Sequence, residues 1–174
     1  YLGVADVDGP DGEVCDHLVV MRRMPAERRL STLVTEGGDV DEPLRQVARI
    51  VAAAHAREPS CAGAEAFSSA DAVLARWEDN VSAMDPSVGD VLDADVVERV
   101  TGRARRYLAG RAPLFRRRIA DGHIRDGHGD LLADDIFCLD DGPRILDCID
   151  FDPELRAGDV LADAAFLAMD LERL

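Results

Sequence analysis

His128-Gly129-Asp130-Leu131-Leu132-Ala133-Asp134-Asp135, followed by Ile149-Asp150-Phe151-Asp152, is the stretch whose reading decides the fold. Between the two segments lie short apolar runs, Ile136–Leu139 and residues 144–149, joined by the turn formers Asp140-Asp141-Gly142-Pro143. The region therefore reads as a β-hairpin with an acidic loop before its first strand and another after its second. Two such loops can converge on one cation. Mg²⁺ favours a few carboxylate oxygens together with water and substrate phosphates, which suits Asp135 and Asp150 as ligands of a nucleotide-bound metal. Asp130 is then left to orient or deprotonate a hydroxyl nucleophile. Adjacent Asp134 competes with Asp135 for the inward-facing position of its loop. Asp140 and Asp141 belong to the turn and stay outside the site, and His128 reads as a structural hydrogen-bonding residue beside Asp130.

Upstream of this hairpin the texture is helical. Leu44, Val47, Ile50, Val51 and Ala54 recur at helical spacing over residues 42–57 behind the acidic start Asp41-Glu42. A shorter helix precedes it, from Pro25 to a stop at Gly37-Gly38. Ser69 or Asp71 caps a third helix through Met84, with Trp77 in its apolar stripe. Asp93 or Asp95 starts a long fourth stretch to about residue 120, kinked near Gly110 and Pro113 and terminated by Gly122. A last helix is expected over residues 158–174. At the other end, residues 2–7 and 14–23 are apolar runs around Asp8-Gly9-Pro10-Asp11-Gly12 and read as a further hairpin. An EF-hand reading of that turn fails, because the Gly falls one position late and no Glu closes the loop. The order of elements is α+β, with little room for a parallel sheet.

The chain has 174 residues, 47% of them hydrophobic, enough for one domain with a real core. Its 35 acidic and 20 basic residues give a net charge of -15, which repels phosphate backbones and anionic lipid, so neither nucleic acid nor a membrane surface is an expected partner. Every basic residue is Arg, which excludes Schiff-base chemistry and a Walker lysine. The arginine clusters Arg22-Arg23, Arg28-Arg29, Arg105-Arg106 and Arg116-Arg117-Arg118 could bind an anion, but in so acidic a chain pairing with local carboxylates is the simpler expectation. Four cysteines without a CxxC pair and no signal-like start fit a cytoplasmic protein with reduced thiols. Tyr1 opens the chain in strand-like alternation, and the expectation is that an earlier part of the protein precedes it.

The HGD and IDFD segments together resemble the catalytic core of the aminoglycoside phosphotransferase-like family, small-molecule kinases of protein-kinase-like fold with the pattern HxDxxxxN and a following ID(F/W). The resemblance sets His128 at the motif histidine, Asp130 at the catalytic aspartate, Asp135 where Asn is usual, and Asp150 at the second metal ligand. Gly158-Asp159 and Asp163-Ala164-Ala165 are similar to the family's GDxxxDLA helix start. It implies that residues 1–25 are the remnant of an N-lobe, a hairpin and a hinge whose backbone at Met21, Arg22, Arg23 and Met24 holds adenine. Residues 26–174 become a mostly helical C-lobe with a catalytic β-hairpin. The implied activity is ATP- and Mg²⁺-dependent phosphorylation of a hydroxyl on a small molecule, with a cationic acceptor such as an amino sugar or aminoglycoside suiting the acidic balance.

The chain departs from the pattern in the Asp at position 135, and in lacking both the N-lobe lysine and the loop that cover the α- and β-phosphates. It also lacks the P-loop module into which some bacterial members continue. The alternatives are a kinase-like binding or structural module without catalysis, and a metal-dependent hydrolase using the same aspartates. The bare N-terminal hairpin is expected either to pair with a second copy or to be poorly ordered.

Overall fold

Leu30, Val47, Leu131 and Ile136 are the largest side chains wholly withdrawn from solvent, and they come from separate parts of the chain. The structure, a computed structural model, describes residues 1–61 and 63–174. Leu30 opens helix α1 (Leu30–Thr35), Val47 lies in α2 (Asp41–Arg57), and Ile136 opens strand β4 (Ile136–Leu139). The numbering places β4 after β1 (Gly3–Asp8), β2 (Val14–Val20) and β3 (Ile124–Asp126). Leu131, from the loop before β4, completes the cluster with Ala133, Cys138 and Leu167, the last from helix α8 (Leu161–Arg173). The core thus lies directly beneath the acidic loop that the sequence singles out. Burying a residue of this size is worth roughly 1.5–3 kcal/mol, so Leu131 fastens the loop to the most stable part of the molecule.

The predicted elements mostly exist, with shifted ends. Ser69 Oγ accepts the Ala72 amide at 3.2 Å and starts α4 (Ala70–Met84), and Asp93 accepts the Val96 amide at 3.0 Å to start α5 (Ala94–Ala109). The long fourth helix is broken, not kinked. Its second part, α6 (Ala112–Ala120), is a separate helix, because Pro113 has no N–H to continue the ladder and sits in the new first turn. A short helix α3 (Ala64–Ser68), too brief to show a period in sequence, precedes α4. Trp77 is only half-buried, and its indole N–H is buried without an acceptor among the described residues.

The hairpin between the acidic loops forms, but its second strand is β5 (Gly142–Ile145), not residues 144–149. Cys138 pairs with Pro143 and Leu139 with Gly142, so the loop is only Asp140-Asp141. The strand ends early because Asp147 takes a left-handed φ of 63° that no ladder accommodates. The final helix also starts later than predicted. Residues 157–159 instead form β6 (Ala157–Asp159), which follows the short helix α7 (Pro153–Arg156) and pairs antiparallel with β3. All three ladders among the described residues are two-stranded and antiparallel, which makes the fold α+β.

The N-terminal hairpin is well registered, Gly3 opposite Val20 and Val7 opposite Asp16, yet has no buried residue on either face. Its second strand stops at Val20, and Met21, Arg22, Arg23 and Met24 carry no regular structure into the turn Ala26–Arg28. No described helix is long and apolar enough to cross a membrane.

Asp170 on α8 holds the other end of the acidic loop. Burial disfavours its charge, but the Ala133 amide, donating at 2.9 Å, and the Arg173 guanidinium at 2.7 Å outweigh that and keep the carboxyl below the usual carboxylate range. Asp170→Ala leaves the Ala133 amide without an acceptor and should destabilise the fold by about 1–3 kcal/mol in denaturant titration. A depressed carboxylate contributes stability above its unfolded pKa, which is lost as pH falls through the folded value. Asp170→Asn should accordingly flatten the acid limb of the stability curve below about pH 4.

Candidate functional site

Asp163, in the first turn of α8, is almost wholly buried, with 5% exposure. Its Oδ2 accepts the His128 amide at 2.9 Å, its Oδ1 accepts the Gly129 amide at 3.0 Å, and His55 Nε2 of α2 lies 2.8 Å from Oδ2. The glycines of Gly127-His128-Gly129 make this approach possible. A Cβ at residue 127 would meet Asp163 Oδ2 at 2.7 Å. Gly129 has a φ of 84°, and a Cβ there would press on Ile149 Cδ1 at 3.0 Å and Leu155 O at 3.2 Å. Asp130 follows at once, half-buried, and accepts no hydrogen bond among the described residues. Its backbone lies between the held Gly129 amide and buried Leu131.

His128 has the structural role its sequence context suggests. Its Nε2 lies 2.7 Å from the Leu146 carbonyl oxygen, which can only accept, so the proton is on Nε2 and Nδ1 is a buried nitrogen without a partner. The Ile149 amide donates to the His128 carbonyl at 3.0 Å, and Arg156 donates at 2.8 Å to the Ile149 carbonyl while its other nitrogens clasp Asp126. The segment after the hairpin is thereby sewn to the loop before it. Burial works against the Arg118–Asp159 pair, but their paired hydrogen bonds prevail and hold the Asp159 carboxyl below its ordinary range.

A cleft of about 910 Å³ opens beside Asp134 and Asp135. Met21, Arg22, Arg23 and Met24 line it, together with Asp134, Asp135, Phe137, Leu146 and Asp147. Residues 21–24 and the first acidic loop therefore share one space. Between the neighbouring aspartates, Asp135 is the half-buried one, while Asp134 is exposed and accepts the Ser31 hydroxyl. Burial pushes the Asp135 carboxyl up, and the charge of Asp147 adds to this; His128 opposes, and Asp130 and Asp134 add smaller repulsions.

Asp150 is not among these groups. It is exposed, as Asp147 is, and its charge acts on Arg156; neither Asp150 nor Asp130 lines the cleft. The carboxylate that reaches the cleft from the second loop is Asp147, which the sequence reading missed. Asp147 is also the one non-glycine described residue with a left-handed φ, at a cost of roughly 1–2 kcal/mol. Its signal was present in Arg144-Ile145-Leu146-Asp147, where the first acid after the strand's apolar pair precedes the quoted ID motif. Among the described residues no group of three or more His, Cys, Asp or Glu side chains forms a metal cage. Asp135 and Asp147 line the same cleft, and a pair of hard carboxylates suits Mg²⁺, which takes few protein oxygens and keeps its waters.

The chain is 41% identical over its 174 residues to uncharacterized proteins of Mycobacterium bovis and of two Mycobacterium tuberculosis strains. It spans 35% of the length of each of these relatives. No family model matches the chain, and no solved structure gives a significant match.

A carboxyl whose folded pKa is raised binds its proton more tightly in the native state, so stability falls as pH rises from the unfolded value through the folded one. Asp135 thus weighs against the fold at neutral pH. Asp135→Asn should raise the melting temperature at pH 7 in metal-free buffer, and the gain should vanish as the pH approaches about 4. Scanning calorimetry across that range checks both the sign and the window.

Proposed function

We propose that this chain carries the nucleotide- and metal-binding part of a small-molecule kinase of protein-kinase-like fold, which transfers the terminal phosphoryl group of ATP to a hydroxyl of a small polar acceptor. The observation that supports this reading best is the shared cleft. Met21, Arg22, Arg23 and Met24, the residues expected to hold adenine, line the same space as Asp135, and Asp130 is close enough to act on Asp135.

Asp130 has the properties of a base for a hydroxyl: a carboxylate free of protein donors, on a loop whose backbone cannot drift because Asp163 holds both preceding amides. It would accept the acceptor's proton as the hydroxyl oxygen forms its bond to phosphorus and the bond to the leaving ADP oxygen breaks. Asp135 and Asp147 would hold Mg²⁺, which when bound supplies charge neutralisation at the phosphates. Phe137 and Leu146 line the same cleft and provide apolar surface suited to a base or sugar face.

The absence of lysine favours one second reading, a kinase-like module that binds nucleotide without turning it over. The discriminating experiment is a coupled assay of ATP consumption on the full natural polypeptide, with amino sugars and aminoglycosides as acceptors. On the kinase reading, Asp130→Asn lowers turnover by on the order of 10²–10⁴ while the KM for ATP hardly changes. Retained Mg²⁺-ATP binding with no turnover on any acceptor would favour the non-catalytic module. For the metal, Asp147→Asn should abolish the Mg²⁺ dependence of ATP binding and Asp150→Asn should preserve it. The opposite pattern would restore Asp150 as the ligand.

A further inference from the structure

Several arginines of the sequence clusters have a carboxylate nearby, while Arg106 and Arg116 have none among the described residues. Arg28 donates to Asp140 and Arg29 lies 4.0 Å from Asp134. Arg105 forks onto Glu78, and Arg117 and Arg118 pair with Asp121 and Asp159. Arg22 and Arg23 have no carboxylate partner among the described residues, although the chain carries 35 acids. Both are exposed, and both line the 910 Å³ cleft.

Arg29 lines the same cleft behind them. Its guanidinium carbon sits 5.2 Å from the centroid of the Phe137 ring, and its Nε–H is buried without an acceptor. Such a donor is uncommon in a folded protein. A chain without lysine can meet phosphate only with arginine or backbone amides, and the planar arginine fork matches phosphate in paired hydrogen bonds.

We propose that Arg22 and Arg23, backed by Arg29, form an anion-binding wall of the cleft that takes a phosphate group of its ligand. The proposal rests on the kinase reading for the identity of that ligand, but not for the existence of the anion site. The phosphate has two sources with the same chemistry at the arginines: the polyphosphate of ATP, or a phosphate already carried by the acceptor. In the second case the acceptor is anionic, against the amino sugar that the whole-chain charge suggests.

The test is calorimetric titration of the full natural polypeptide with inorganic tripolyphosphate, Mg²⁺-ATP, adenosine and glucose 6-phosphate. Tripolyphosphate should bind the wild type, bind more weakly as salt rises, and lose on the order of tenfold or more in affinity in the Arg22→Ala/Arg23→Ala variant. Arg99→Ala, which removes an exposed arginine outside the cleft, should change nothing. Weaker Mg²⁺-ATP with unchanged adenosine assigns the wall to the nucleotide, whereas weaker glucose 6-phosphate with unchanged Mg²⁺-ATP assigns it to the acceptor. If neither adenosine nor Mg²⁺-ATP binds while tripolyphosphate still depends on both arginines, the anion wall stands and the kinase reading falls. Tripolyphosphate affinity that is absent in the wild type, or equal in the double variant, overturns the proposal.

Discussion

A buried carboxylate, Asp163, holds the candidate site together. Removing such a charge from water is costly unless donors replace the solvent, and here the His128 amide, the Gly129 amide and His55 do so. Hydrogen bonds to a charged group are worth about 1.5–3 kcal/mol each, so the loop before Asp130 has little freedom to sample other shapes. The interaction also explains the sequence around it. Gly127 is small because the carboxylate sits where its side chain would be, and Gly129 is small because Ile149 and the α7 backbone press against it. Asp163 thereby links the start of α8, the end of α2 and the loop, three segments far apart in the chain, at one point.

The two walls of the cleft differ in rigidity for reasons visible in their packing. The wall with Asp134 and Asp135 stands on Leu131, Ala133 and Ile136, which are wholly buried, and is tied to α8 by Asp170. The wall with Met21, Arg22, Arg23 and Met24 hangs between a hairpin exposed on both faces and the first turn of the helical part. Few buried contacts mean a low free energy of local opening. The geometry of the acids is therefore fixed by the fold, while the arginines can adjust to what the cleft holds.

Much of this was legible in the sequence, and the exceptions have physical causes. The α2 stretch and the starts of α4 and α5 read correctly, the latter because Ser69 and Asp93 satisfy helix amides whatever surrounds them, whereas the long fourth stretch proved to be two helices. The β3–β6 ladder was invisible, since three-residue strands carry no period and Ala157-Gly158-Asp159 looks like a helix start. Residue type and spacing singled out the acidic loop and Asp135, which line the cleft. That Asp147 lines it and Asp150 does not was not legible, because the place of Asp147 depends on one backbone torsion and a motif counts positions rather than directions. Asp163 stood out as part of a resemblance, but its partnership with His55 crosses 108 positions and only the folded chain reveals it.

The net charge shows the same difference between composition and place. A value of -15 describes the field met by a distant ligand, and it argues for cationic partners only at that range. Within a Debye length, about 8 Å at physiological salt, the local set of charges decides. In this cleft the set is mixed: Glu27, Asp134, Asp135 and Asp147 with Arg22, Arg23 and Arg29, in one space. Burial, and then the charge of Asp147, raise the proton affinity of Asp135, while Arg29 reaches Asp134 and Arg22 and Arg23 have no carboxylate partner among the described residues. A bare anion would meet the arginines alone, whereas a ligand carrying both signs, such as a metal-bound phosphate, would meet the acids as well.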